Sequence, residues 1–137
     1  MVYVDDYAHH PEELRPLLTG AKSLFNNRRC TIIFQPHLFT RTRDFAEGFA
    51  EVLAMADQVI LLPIYPAREQ PIEGVDSEML ARLMNSDRVS IMNKEEVIEW
   101  VKNDFALNRN KEFGELLITA GAGDIDTLVP TIKEILD

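Results

Sequence analysis

Residues that could bind a small ligand are concentrated in two short segments of this chain. Residues 5–11 (DDYAHHP) contain an acidic pair and two histidines, and residues 35–43 (QPHLFTRTR) contain the third histidine and two arginines. Carboxylates accept hydrogen bonds from hydroxyl groups, imidazoles can donate or accept, and a guanidinium binds a carboxylate or phosphate through two parallel hydrogen bonds. The grouping predicts a ligand site built from these two segments.

The acidic pair and the two histidines of the first segment each have more than one interpretation. Asp5 and Asp6 could contact a ribose or hold a cation, or they could cap a following helix. His9 and His10 could contact a ligand or only begin a helix, because Pro11 suits a first helical turn. Zinc coordination is disfavoured, since neighbouring histidines on a loop diverge and no helical H-x-x-x-H spacing is present.

Arg41 and Arg43 stand two residues apart at the expected start of a helix. Helix-start amides attract anions, so the amides and a guanidinium fork together could bind a carboxylate or phosphate. The alternative is a solvated ion pair with Asp44 or Glu47. In a chain with net charge −9, basic residues at this place favour an anionic ligand.

Two further loops carry weaker signals. Tyr65 and Arg68 lie in a proline-bounded segment that could be a lid or an irregular connection. Gly121 and Gly123 could form a phosphate-binding turn, but a strand-to-helix turn needs glycine for conformational reasons as well. The pattern G-x-x-x-x-G-K-[ST] does not occur in the sequence, so the chain cannot hold a triphosphate in the manner of a P-loop.

The apolar pattern alternates between strand and helix along the chain. Short β-rich runs predict strands at Met1–Val4, Cys30–Phe34, Val59–Leu62, Val89–Met92 and Leu116–Thr119. Apolar residues three and four apart predict helices at Glu12–Phe25, Arg43–Met55, Ser77–Met84, Glu95–Leu107 and Thr127–Leu136. Pro16 predicts a kink or a shortened first turn in the first helix, and the polar residues Asn108–Gly114 predict a loop.

This alternation predicts an α/β fold, a doubly wound and mostly parallel sheet with helices on both faces and right-handed crossovers. Ligands of such folds bind beyond the carboxyl ends of the strands. All three histidines, the acidic pair and the arginine pair follow the first two predicted strands. The fold would therefore bring them to one edge of one sheet.

Composition narrows the possible partners. The 137 residues suit a single domain, 1–137, whose core needs neither disulfides nor a structural metal. The excess of 23 acidic over 14 basic residues argues against nucleic acid and anionic membranes as partners, because both would repel the domain.

Cys30 is the one cysteine in the sequence, which favours a reducing, cytoplasmic location. The first residues lack the pattern of a signal peptide and lead directly into a strand, which suggests a domain excised from a longer protein.

At these segments the sequence resembles the C-terminal domain of the Mur ligases of peptidoglycan synthesis. The resemblance extends over essentially the whole chain, with the motifs in family order. It is carried by residues 4–11 (VDDYAHHP), 34–37 (FQPH), 40–44 (TRTRD), 64–69 (IYPARE) and 119–123 (TAGAG). Several Mur ligases share D-Y-A-H, whereas the doubled histidine with Q-P-H and T-R-T-R-D is characteristic of the alanine-adding branch.

The resemblance implies a three-domain ligase of which this chain is the third domain, with a Rossmann-like sheet that includes one antiparallel strand. The absent first domain would hold UDP-N-acetylmuramate, and the absent central domain would carry the P-loop and most Mg²⁺ ligands. The implied cofactors are therefore ATP and Mg²⁺, held mainly outside this chain. In the implied reaction the muramyl carboxylate is phosphorylated, and the amine of L-alanine displaces phosphate. The isolated chain is expected to be inactive and to contain no metal site.

The resemblance also assigns roles to individual residues. His9 and Arg41 match positions that hold the amino-acid carboxylate, with Arg43 as a further candidate. Some family members have an arginine where this chain has Leu38, so part of that clamp must be supplied differently. No residue of this domain alone is expected to be catalytic.

Nucleotide contacts are implied for the end of the first strand. Asp6 matches an aspartate that contacts the ATP ribose, Tyr7 would lie near the nucleotide, and Asp5 would support them. Four residues are candidates for supporting roles around the ligands: His10, His37, Tyr65 and Arg68.

Two other functions are compatible with the sequence. A related ligase attaches a recycled tripeptide and would show a similar fold and sheet edge. A non-catalytic nucleotide-binding module is the second alternative. A phosphoacceptor signalling domain is excluded, because residues 61–63 (LLP) and 119–121 (TAG) lack the aspartate and lysine that its chemistry needs.

Overall fold

The computed structural model describes residues 1–106 and 114–137. The predicted loop Asn108–Gly114, apart from its last residue, and the end of the predicted helix Glu95–Leu107 lie outside the described residues. In the part that is described, no helix is both long and apolar enough to cross a membrane.

A five-stranded parallel sheet forms the centre of the fold. The strands are β1 (Val2–Asp6), β2 (Arg29–Phe34), β3 (Gln58–Leu61), β4 (Val89–Ile91) and β5 (Glu115–Ala120). Their order across the sheet is β1-β5-β2-β3-β4, and every pairing is parallel. The predicted α/β class is confirmed. The antiparallel strand that the resemblance implied is not seen, because the described strands all run in the same direction. A helical segment between successive strands returns the chain to the edge of the sheet where the previous strand began.

Within residues 1–106 and 114–137, six α-helices flank the sheet. They are α1 (Pro11–Leu24), α2 (Phe39–Asp44), α3 (Ala46–Leu53), α4 (Ser77–Met84), α5 (Lys94–Trp100) and α6 (Val129–Leu136). The predicted helix Ser77–Met84 is confirmed, and α1 runs through Pro16, which is exposed. A proline has no amide hydrogen, so the carbonyl four residues earlier loses its helical hydrogen bond. The preceding turn is exposed, so water can bond to that carbonyl instead.

Three predicted helices differ from the structure. The predicted helix Arg43–Met55 is two helices, α2 and α3, joined at Phe45, which has φ −117° and ψ 22°. A single turn of π-helix, Val101–Phe105, continues α5. A 3₁₀ segment, Asp124–Leu128, precedes α6.

The core has two apolar layers, one on each face of the sheet. Ile32 and Phe34 of β2 face the layer formed with α1 and α3, whereas Ile33 faces the opposite layer. Because side chains alternate along a strand, a continuously apolar strand must be covered on both faces, as the sequence predicted. Cys30 is fully buried in the first layer, and burial raises the pKa of its thiol to about 11.

Candidate functional site

A row of aromatic rings crosses the edge of the sheet at the carboxyl ends of β1, β2 and β3. The rings of Tyr7 and His9 meet edge to face with centroids 5.4 Å apart. His9 meets His37 in the same way at 5.7 Å, and His37 stacks on Tyr65 at 5.7 Å with an interplanar angle of 16°. Three loops therefore contribute to one continuous surface.

Arg41 joins this surface through His37. Its Nη1 donates a hydrogen bond to Nδ1 of His37 over 3.0 Å, one helical turn away. Burial, the Arg41 guanidinium and His9 all lower the pKa of His37, which favours its neutral form. A neutral ring can accept the hydrogen bond that Arg41 donates, so the guanidinium is held in place at the sheet edge.

The short helix that carries Arg41 is anchored by a side chain from a distant loop. Leu38 precedes α2 with φ 73° and makes no side-chain cap. Instead, the Glu69 carboxylate accepts hydrogen bonds from the backbone amides of Phe39 and Thr40 and from the Thr40 hydroxyl. These bonds lower the pKa of Glu69 and keep it charged. They supply the capping that an N-terminal residue of the helix usually provides.

A bridge between the two loops completes the anchor. The Leu38 amide donates to the Tyr65 carbonyl over 2.8 Å, and the Tyr65 amide donates to the Pro36 carbonyl over 2.8 Å. The loop after β3 is thus bonded to the loop after β2. This pairing sets the stacking of Tyr65 on His37.

Arg43 and His10 make contacts outside the ring row. Arg43 is exposed, and its Nε donates to Asp44 over 2.9 Å, which is the ion pair that the sequence left open. His10 accepts a hydrogen bond from the Glu12 amide over 3.3 Å and so caps α1, while its ring packs against Phe45 at 4.6 Å. Arg68 is exposed in the loop after β3.

The two aspartates at the end of β1 have different hydrogen-bond partners. Asp5 accepts a hydrogen bond from the Thr119 hydroxyl over 2.8 Å, and that hydroxyl also bonds with Tyr3. Asp6 is exposed at the end of the strand and accepts from the Ala8 amide over 2.9 Å. Tyr7 is 70% exposed. Asp5, Asp6 and Tyr7 are all exposed at the edge where the rings lie, but the Asp5 carboxylate is also bonded across the sheet to Thr119.

A polar cluster beside Tyr65 was missed by the sequence analysis. Gln35 is buried; its Nε2 donates to Asp124 over 2.7 Å, and its Oε1 accepts from the Ile125 amide over 2.9 Å. Lys94 donates to the other oxygen of Asp124 over 2.9 Å and lowers the pKa of that carboxyl.

The cluster borders a cavity of about 230 Å³ between the ends of β2, β3 and β5. Its walls include Gln35, Leu62, Tyr65, Asn93, Lys94 and Asp124. In the sequence, only the position of Gln35 directly after a predicted strand could have indicated this cluster. Nothing local marks Lys94, which begins a helix on the far side of the cavity.

The two glycines after β5 are required by close contacts. Gly121 has φ +150°, and a Cβ there would lie 3.1 Å from the Gln35 carbonyl oxygen. A Cβ on Gly123 would lie 2.5 Å from Gln35 Oε1 and 2.6 Å from Cγ of Tyr65. The spacing of these glycines thus serves the packing of this loop against Gln35 and Tyr65, in agreement with the conformational interpretation.

Replacing Gly123 with alanine is expected to lower the free energy of unfolding by about 1–3 kcal/mol, because the added methyl group overpacks the contact with Gln35 and Tyr65. Gly20→Ala is the control. A Cβ at Gly20 meets nothing within 4 Å, and alanine favours a helix, so this variant should gain about 0.5–1 kcal/mol. Urea denaturation of both variants measures the two changes. Equal stabilities would contradict the close packing at Gly123.

Comparison with known protein families identifies the chain. Residues 1–123 match the model of the Mur ligase, glutamate ligase domain. The chain belongs to the Mur ligase family. The predicted resemblance to this family is confirmed.

Several relatives that match the whole chain or nearly all of it share one name. This Mur ligase domain is 44% identical, over its whole length, to a UDP-N-acetylmuramate–L-alanine ligase of Flavobacterium johnsoniae, of which it covers 29%. Over 97% of its length it is 46% identical to the ligase of the same name from Cytophaga hutchinsonii, of which it covers 27%. The domain also superposes on a crystal structure of UDP-N-acetylmuramate–alanine ligase from Thermotoga maritima. The TM-score is 0.69 and the identity 25%, over 96% of this chain and 26% of that one.

Proposed function

We propose that the chain is the amino-acid-binding domain of an ATP-dependent ligase that joins L-alanine to UDP-N-acetylmuramate. The observation that carries the proposal is Arg41, a cation fixed by His37 at the sheet edge beside His9. A guanidinium in this setting suits the carboxylate of a small amino acid. The names of relatives similar over the whole chain favour alanine as that amino acid.

The chain spans less than a third of the length of these relatives, so the proposed reaction requires further domains. ATP would convert the muramyl carboxylate into an acyl phosphate, and the alanine amine would displace phosphate to form the amide. The sequence has no P-loop, and the described residues include no group of three or more potential metal ligands. We assign the phosphate chain of ATP and its Mg²⁺ mainly to another domain, as the resemblance to the Mur ligases implies.

The accessible end of β1 fits a more limited contact with the nucleotide. Asp6 presents a carboxylate with one oxygen held by the Ala8 amide, which suits the hydroxyl groups of a ribose. Tyr7 beside it is exposed and could pack against the nucleotide. Asp5 would act by fixing β1 against β5 through Thr119.

The domain's own contribution would be to bind and orient the amine. An acyl phosphate hydrolyses when water reaches it, so a domain that covers it and positions the nucleophile protects the intermediate and raises the rate. His9 and Arg41 are the residues that we assign to amino-acid binding. His37 and Tyr65 hold them in place.

The proposal is tested by placing this chain in the matching segment of the Flavobacterium johnsoniae ligase and measuring phosphate release. Release should require ATP, UDP-N-acetylmuramate and L-alanine together, and the 137-residue chain alone should release none. The F. johnsoniae ligase without this segment is the control. Activity with an alanyl tripeptide but not with L-alanine would instead support the tripeptide-adding alternative.

A further inference from the structure

We propose that a cleft at the amino-terminal edge of the sheet binds a compact anion that carries two or more linked phosphates. The cleft has a volume of about 570 Å³ and lies where β2, β3 and β4 begin. Its walls are formed by Lys22, Asn27, Arg28, Arg29, Asp57 and Arg88. The inference goes beyond the proposed function, which uses none of these residues.

Positive charge is concentrated in this cleft. The whole chain has a formal charge of −9, yet most of the described walls are basic side chains. Arg29 is neutralised by the buried carboxylate of Glu115, since its Nε donates to Oε2 over 3.2 Å and its Nη2 contacts Oε1. The other three cations of the described walls face one carboxylate, that of Asp57. The cleft therefore attracts anions in a chain that repels them overall.

The three cations that Glu115 does not neutralise are held by backbone carbonyls. Lys22, Arg28 and Arg88 each donate one hydrogen bond to a backbone carbonyl, over 2.6, 3.4 and 3.4 Å respectively. A carbonyl group fixes the position of a cation but does not cancel its charge. Because an ammonium group has three N–H donors and a guanidinium has five, each side chain keeps hydrogens for a ligand.

Linked phosphates are the anions that best match this set of donors. A guanidinium binds a phosphate through two parallel hydrogen bonds, and an ammonium group binds it as a point charge. A carboxylate carries a single charge, whereas a diphosphate presents several charged oxygens to three cations at once. The cleft has the volume of a small-molecule site. A nucleic acid would extend beyond it and meet the acidic remainder of the surface.

The cleft is separated from the ring row by the length of the strands. β2 has six residues, and a strand rises about 3.3 Å per residue, so the two edges of the sheet are roughly 20 Å apart. An anion in the cleft therefore binds without contacting Arg41 or His37. It is a second ligand of the domain, separate from the amino acid.

Isothermal titration calorimetry of the 137-residue chain with pyrophosphate tests the site. In a low-salt buffer without divalent cations we expect one saturable site, and added salt should weaken it because the contacts are ionic. Inorganic phosphate should bind about tenfold more weakly, since it can engage fewer of the three cations.

Substitutions in the cleft should change the affinity in opposite directions. Arg28→Gln and Arg88→Gln should each weaken pyrophosphate binding by about tenfold, because each removes a charged hydrogen bond. Asp57→Asn should strengthen binding by about threefold or more, because it removes the opposing charge. The asparagine oxygen can still accept the hydrogen bond that the Cys30 amide donates to Asp57 over 2.8 Å. Arg15→Gln is the matched control, since it makes the same change of charge outside the cleft and should alter the affinity by less than twofold.

ADP distinguishes the two sources of linked phosphates. It has the two phosphates of pyrophosphate together with a nucleoside, so equal affinities would show that the site recognises the phosphates alone. Tighter binding of ADP, with the same dependence on Arg28 and Arg88, would identify a nucleotide as the ligand.

Three results would overturn the proposal. They are the lack of saturable pyrophosphate binding, unchanged affinity in both Arg28→Gln and Arg88→Gln, and a loss in Arg15→Gln equal to theirs. Weaker binding by Asp57→Asn would also contradict it. None of these results bears on the proposed function, which is tested separately by phosphate release from the ligase.

Discussion

Replacing Arg41 with alanine in the ligase that carries this chain is expected to raise the KM for L-alanine by about 100-fold or more. Two hydrogen bonds to a charged carboxylate each contribute about 1.5–3 kcal/mol, and 1.4 kcal/mol corresponds to tenfold in affinity. L-Alanine offers few other groups to bind, so little can compensate for the loss. Steady-state phosphate release at varied L-alanine measures the effect.

The binding of UDP-N-acetylmuramate should be unaffected by this change, because that substrate is assigned to a domain outside the chain. Arg15→Ala is the control for loss of positive charge. Arg15 is exposed on α1 and forms a surface pair with Glu51 at 3.4 Å. Unchanged alanine kinetics in Arg41→Ala would contradict the assignment of Arg41.

Replacing Phe49 with alanine is expected to lower the free energy of unfolding by about 3–5 kcal/mol, the largest effect on stability that we expect from one substitution. Phe49 is fully buried on α3 and packs against Phe34 of β2 with ring centroids 5.5 Å apart. Truncation leaves a cavity between a helix and the central strand, which cannot collapse without moving the sheet. Urea or thermal denaturation of the 137-residue chain measures the change.

Phe45→Ala, one residue before α3, provides the matched control. Phe45 is 43% exposed and stands at the join of α2 and α3. Its truncation should cost about 1 kcal/mol, because less apolar surface leaves a buried setting. Comparable losses for the two phenylalanines would show that α3 does not pack on the sheet as described.

The residues that the sequence grouped at one sheet edge are those that follow a strand directly. His9 and His37 lie in loops after β1 and β2, and parallel strands bring such loops to one side. Arg41 lies farther along but within one helical turn of His37, so its place follows from the same rule. Because all strands run in the same direction, the apolar periodicity alone is enough to predict that these residues lie at one edge of the sheet.

Contacts between distant parts of the chain could not be predicted in this way. Glu69 replaces a local cap of α2 from 30 residues away, so no residue before the helix marks its start at Phe39. The break at Phe45 was missed because the apolar spacing continues through it. The network of Gln35, Asp124 and Lys94 likewise depends on three loops that meet only in the folded chain.

Arg41 and Arg43 show that residue type alone does not determine which arginine lies at the candidate site. Arg41 and Arg43 differ by two positions in a helix, a separation that turns their side chains toward different faces. Arg41 therefore meets His37, and Arg43 meets Asp44 at the exposed surface. The sequence left an ion pair open for either arginine, and helical geometry determines which one forms it.

The anchoring of α2 by Glu69 has a consequence for protein engineering. A loop exchanged between homologous ligases at residues 63–76 would bring its own side chain to position 69, while Thr40 would stay with the host. A graft that omits an acid at 69 would release the start of α2 even if every residue around the ligand were retained. Recombination in this fold should therefore transfer positions 40 and 69 as one unit.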